Sequence, residues 1–250
     1  MMSTVRSMIL QWMKRAVMPA AGAIAMIAAS PAFAQNAPTA EPLLTVPSAQ
    51  PQDAEYTALI AEHLVDKRIT TDLVDHMPAS ATVPSPLKFF GRIPGTLGEL
   101  TYGRDIQCYY EELARTSPRV RLFKLGKSEE GRDIIMLAIA DEATIATLDT
   151  HKANLAALGD PRRTSEAEAR RIIKTAKPIY WLTSGIHSSE TGGPETLIET
   201  AFQLAVEDTP FIQNIRNNVI TFITPVLEVD GREKVVDTII TGRAASLSPR

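Results

Sequence analysis

The chain has one cysteine, Cys108, and four histidines, His63, His76, His151 and His187, in 250 residues. A lone cysteine forms no internal disulfide, so if the chain is exported it must fold on its hydrophobic core alone. An excess of basic residues is also missing, with 26 Lys and Arg against 29 Asp and Glu, and nothing in the charge pattern points to nucleic acid. There is no internal repeat. No Gly-x-Ser-x-Gly elbow is present, which counts against an unrelated α/β hydrolase acting through Ser184, Ser188 or Ser189. No Arg-Arg pair precedes the apolar run near the start, so general secretion is favoured over twin-arginine export. That run, Ala16 to Ala29, falls short of the ~20 residues that span a bilayer.

What is present at the start reads as a signal peptide. Arg6, Lys14 and Arg15 precede the apolar run, and Ala32-Phe33-Ala34 is a small-x-small cleavage site, so residues 1–34 are expected to be removed and the product to be secreted or periplasmic. Met13-Lys14-Arg15 on its own would open a signal of ordinary shape. Cleavage takes away those three basic residues and no acidic one, which moves the net charge from −3 to −6. No stable membrane insertion is expected afterwards. Residues 35–86 read as a linker and N-terminal extension: Gln35 to about Gln52 is rich in Ala, Pro, Gln and Thr and should be disordered, Ala54 to Asp75 is a plausible helix, and Pro78, Pro84, Pro86 and Pro94 enforce an extended connection. The compact domain is expected over residues 87–250.

Within it, Ile106, Tyr109, Tyr110 and Leu113 have helical spacing, closed by Ser117-Pro118. Val120 to Leu125 and Ile134 to Ala140 read as strands joined by the loop Gly126-Lys-Ser-Glu-Glu-Gly131-Arg132, a hairpin. Ser165 and Glu168 form a capping box before a helix over Ala169 to Ala176. A strand over Ile179 to Thr183 follows, then a helix with Leu197, Ile198, Ala201, Leu204 and Ala205 on one face, then a strand over Val219 to Thr224 that closes at Pro225 and a turn at Asp230-Gly231. Hairpin, helix, strand, helix, strand specifies an α/β sheet with helices on its faces. Trp181 reads as core, and Glu195 and Glu199 as solvated residues balancing a helix N-terminus.

The chemistry is concentrated in His187-Ser-Ser-Glu190, set between the strand and the helix that Pro194 helps to start. An imidazole nitrogen and a carboxylate oxygen are two of the three protein ligands that a catalytic zinc commonly takes, and the carboxyl end of a strand is where α/β sheets bind ligands. His63, His76 and His151 read as solvated or capped histidines.

Three motifs in order, the Tyr102-to-Val120 helix segment, Gly126-Lys127-Ser128-Glu129-Glu130-Gly131-Arg132 and His187-x-x-Glu190, together resemble the opening of the zinc carboxypeptidase family, the fold of carboxypeptidase A. Leu227-Glu228-Val229-Asp230-Gly231 is similar to that family's later Asn-Pro-Asp-Gly turn. The resemblance covers roughly Leu87 to Arg232. It implies a partial mixed-sheet fold with helices on both faces, Zn2+ as cofactor, His187 and Glu190 as its first two ligands, and hydrolysis of a peptide or related amide. Gly131 looks structural, supplying a left-handed conformation. Three departures accompany the likeness. Ser189 stands where the family commonly has an Arg, no Asn-Arg pair follows Gly231, and no His follows His187. The third ligand and the general-base Glu of the family therefore have no counterpart in residues 1–250, and Thr241 to Arg250 matches nothing in the family. A truncated or frameshifted reading of a longer gene, inactive as it stands, is the expectation. The alternative is a catalytically silent binding or structural module of the same fold.

Overall fold

The computed structural model describes residues 48–247; the stretch expected to be a signal peptide, the first part of the expected linker and the last three residues lie outside the described residues. Helix α1 (Ala54–His63) is followed by α2 (Pro86–Phe90), α3 (Gly103–Thr116), β1 (Val120–Lys127), β2 (Asp133–Ile139), α4 (Glu142–Ala146), α5 (Leu148–Leu158), α6 (Glu166–Ile173), β3 (Ile179–Thr183), α7 (Gly192–Val206), α8 (Pro210–Asn218), β4 (Ile220–Thr224) and α9 (Val229–Leu247). The sheet order is β1-β2-β4-β3. Its first two pairings are antiparallel, and β3 runs parallel to β4 at the edge. This is the mixed α/β sheet with helices on both faces that the patterning specifies.

Alternation along the strands divides the core in two. Ile135, Leu137, Ile139 and Ile223 face α3 and α7, where they join Ile106, Leu113, Ile198 and Phe202. Ala138, Ala140 and Ile220 face the other way, onto Leu148. The four predicted positions of α3 are all buried, and burying each such side chain is worth about 1.5–3 kcal/mol. Two of them carry hydroxyls that must be satisfied in a dry interior. Tyr110 donates to the Leu197 carbonyl at 2.9 Å and Tyr109 to the Pro84 carbonyl at 3.1 Å.

Several expectations change. The first helix stops at His63, and the exposed Val65 and the Asp66–Arg68 turn show why: the segment beyond has no face to bury. Tyr56, Met77 and Val83, all before Leu87, belong to the main core. The end of the Ala- and Pro-rich stretch is held as well, since Gln50 accepts from the Asp208 amide at 2.8 Å and donates to the Val206 carbonyl at 3.2 Å. The Ser165 hydroxyl caps α6 as predicted, but Glu168 turns away from it to pair with Arg171. Trp181 is half exposed, because it stands on an edge strand; its indole donates to the Thr224 hydroxyl and its ring meets Phe222 edge-on. Asp230-Gly231 is the first turn of α9 instead of an isolated turn.

Candidate metal centre at the end of β3

The parallel pairing of β3 with β4 continues past both strands. Ser184 N–H donates to the Thr224 carbonyl, Leu227 N–H to Ser184 and Glu228 N–H to Gly185, at 3.1, 2.9 and 2.9 Å. Gly185 turns the chain with φ +62°, a conformation that favours glycine. Residues 184–190 are thereby laid against 224–231 at the carboxyl end of the sheet before α7 begins.

His187 and Glu190 stand on that turn. Their side chains are 70% and 57% exposed, so they face solvent and not the core, and His187 Nδ1 lies 2.9 Å from Glu190 Oε1. The Glu190 amide donates to the His187 carbonyl at 3.0 Å, which closes the turn and puts both groups on one side. The hydrogen bond to His187 holds the Glu190 carboxyl below its ordinary value. Two ligands of a tetrahedral zinc at its usual bond lengths would be about 3.3 Å apart. The donor chemistry and the spacing therefore fit two positions of such an ion. Among the described residues no third His, Cys, Asp or Glu joins them in a metal-binding group. His76 pairs with Asp75 at 2.6 Å, His63 ends α1 and His151 lies on α5.

Beside this turn a cleft of about 340 Å3 is walled by the loop over 94–100 and by Thr191, Gly192, Glu195 and Glu199 of the α7 end. Both glutamates correct the solvated reading. Glu195 is buried, accepting from the Thr101 amide and hydroxyl at 2.7 and 2.8 Å and from Arg232 at 2.5 Å. Glu199 accepts from the Tyr56 hydroxyl at 2.7 Å, and burial pushes its carboxyl up. Sequence spacing alone could not pair Glu195 with Arg232, 37 residues on; the signal available was the Arg directly after Asp230-Gly231.

The Gly131 turn and the Asp230 segment meet. Asp230 accepts from Ser128 Oγ at 2.7 Å, the Glu130 amide at 3.0 Å and Arg132 Nη1 at 2.6 Å. Burial raises the Asp230 carboxyl, but the Ser128 and Arg132 hydrogen bonds more than offset this and leave it below its ordinary value. Gly131 has the left-handed conformation expected of it, φ +84°.

The family model described as zinc carboxypeptidase matches residues 106–245. Among solved structures, carboxypeptidase A from Helicoverpa armigera is 22% identical with a TM-score of 0.40, over 57% of this chain and 27% of that one. Bovine thrombin-activatable fibrinolysis inhibitor, solved with tick carboxypeptidase inhibitor, is 15% identical with a TM-score of 0.36, over 55% of this chain and 34% of that one. The chain thus spans about a quarter to a third of the length of these structures. No curated protein matches it significantly. The family match takes in the Gly131 turn, the His187–Glu190 turn and the Asp230 segment, and covers more than half of the sequence. The chain belongs to the zinc carboxypeptidase family.

Proposed function

We propose that this is an exported zinc carboxypeptidase-like protein whose substrates are peptides or related amides, with His187 and Glu190 as two of its zinc ligands. The observation that carries the reading is the 2.9 Å approach of His187 Nδ1 and Glu190 Oε1 on a solvent-facing turn at the end of β3, inside the family-matched segment. Zinc bound there would polarise a substrate carbonyl and acidify a water for attack on it. Ser189, where the family commonly has an Arg, gives no cation to hold a substrate there. Export rests on the signal-like residues 1–34.

Residues 1–250 supply no His after His187. A two-ligand site lacks the affinity of a catalytic zinc centre, and hydrolysis needs a carboxylate to take the proton from the activated water. We therefore assign to these residues weak zinc binding and no peptidase turnover. The same shortage of a third ligand among the described residues favours, as a second reading, a catalytically silent module of this fold. Zinc stoichiometry by mass spectrometry on purified residues 35–250, with peptide and amide assays run with and without chelator, separates them. Weak zinc uptake supports the first, no uptake the second, and chelator-resistant turnover would overturn both.

A further inference from the structure

The turn that carries His187 and Glu190 is exposed at both of those side chains, yet Ser184, Gly185 and Ser188 within it are not. Ser184 and Ser188 are partly buried, each against a glycine in the first turn of a helix. A Cβ on Gly193 of α7 would lie 2.0 Å from Ser184 Oγ. A Cβ on Gly231 of α9 would lie 1.9 Å from Ser188 Oγ and 1.8 Å from Glu228 Oε2, the very atoms that form a 2.7 Å hydrogen bond, the Ser188 hydroxyl donating. Neither glycine has a positive φ. Backbone conformation therefore does not require them, and within a helix Gly is disfavoured relative to Ala. Gly192, one residue before the first seat, faces open space, and at Gly103 and Gly185 a Cβ would stand 3.2 and 3.3 Å from its nearest neighbour, so the two seats are much the tighter.

We propose that Ser184, seated on Gly193, and Ser188, seated on Gly231 and donating to Glu228, are positioning residues that hold the His187–Glu190 turn in its metal-receiving shape. This rests on the metal reading of that pair. His187 and Glu190 are solvent-facing, so packing cannot fix them; the seats flank His187 at three residues before and one after, and tie its turn to α7, α9 and the end of β4. Groups that hold a binding turn in its bound shape raise affinity by removing the cost of ordering it.

The test uses zinc titration of the full chain, and separately hydrogen exchange of amides 184–190 in the metal-free protein. Ser188→Ala and Glu228→Ala should each weaken zinc roughly 10–100-fold and speed exchange in the turn, with the β1–β2 hairpin unaffected. Glu228→Gln, which keeps an acceptor oxygen, should restore most of both. Gly231→Ala should weaken zinc and speed exchange at least as much as Ser188→Ala, because its methyl displaces both side-chain oxygens and also meets Ser188 Cβ at 2.9 Å. Unchanged zinc affinity with faster exchange would make the seats merely structural and overturn the proposal. If the wild-type chain takes up no zinc, the metal reading fails, and the exchange data still decide: a turn as protected in Ser188→Ala and Gly231→Ala as in wild type refutes the seats.

Discussion

Arg132 Nη1 donates to Asp230 Oδ1 at 2.6 Å across 98 residues of sequence. That bond ties the hairpin turn after β1 to the first turn of α9, which itself borders the β3 end where His187 stands. Asp230→Ala should release both the Gly131 turn and the helix start. The expected result is a lower thermal midpoint, with Asp230→Asn intermediate because its amide oxygen still accepts from Ser128 and the Glu130 amide. Thermal unfolding of the two variants checks it; equal midpoints for Ala and wild type would show the tie to be idle.

Glu195 and Arg232 form a buried pair, 5% and 1% exposed, and Arg232 Nη1 has no partner among the described residues. Removing one member strands the other charge away from water. Glu195→Ala should cost about 3–5 kcal/mol of stability, measured by denaturant unfolding. The double replacement Glu195→Leu with Arg232→Met should cost less, since neither member of the pair is left buried and charged without the other; Arg92, 4.0 Å from Glu195, is partly exposed and keeps access to water. A double variant as unstable as the single would contradict this.

Glu199 gives the protein a pH dependence of definite sign. Its pKa is raised by burial, so folding favours the protonated form; the stability that this group contributes is full below its unfolded pKa and is lost as pH rises through the higher folded value. Glu199→Gln keeps an acceptor for Tyr56 and cannot ionise. The variant should match wild type in acid and exceed it over the range above the unfolded carboxyl value, as followed by thermal midpoints. A variant less stable than wild type throughout that range would refute the sign.

How much was legible in the sequence follows from how local each determinant is. Ile106, Tyr109, Tyr110 and Leu113 lie on one helix face whatever the rest of the chain does, so α3 and its end before Ser117-Pro118 were readable. The His187–Glu190 turn was readable because a strand, a turn signal and a helix adjoin it. Trp181 was misread because its exposure depends on β3 lying at the sheet edge, a property of strand order and not of the apolar run. Glu195 was misread because its partner comes from α9. The seats of Ser184 and Ser188 were invisible for the same reason: each needs the absence of a Cβ on a residue brought close only by the fold.

Processing is expected to leave Gln35 at the mature N-terminus, since Ala32 and Ala34 meet the small-residue requirement for cleavage. Intact-mass analysis of the exported protein reads this directly, and a mature product beginning at Met1 or Met13 would rule it out.

The decisive quantity is zinc affinity of the purified chain against that of His187→Ala and Glu190→Ala. With these two residues as ligands, wild type binds zinc weakly, each replacement abolishes most of that binding while leaving the fold intact by circular dichroism, and no peptide is turned over. Zinc binding that survives both replacements, or tight stoichiometric zinc with chelator-sensitive peptide cleavage in the wild-type chain, would contradict the two-ligand assignment.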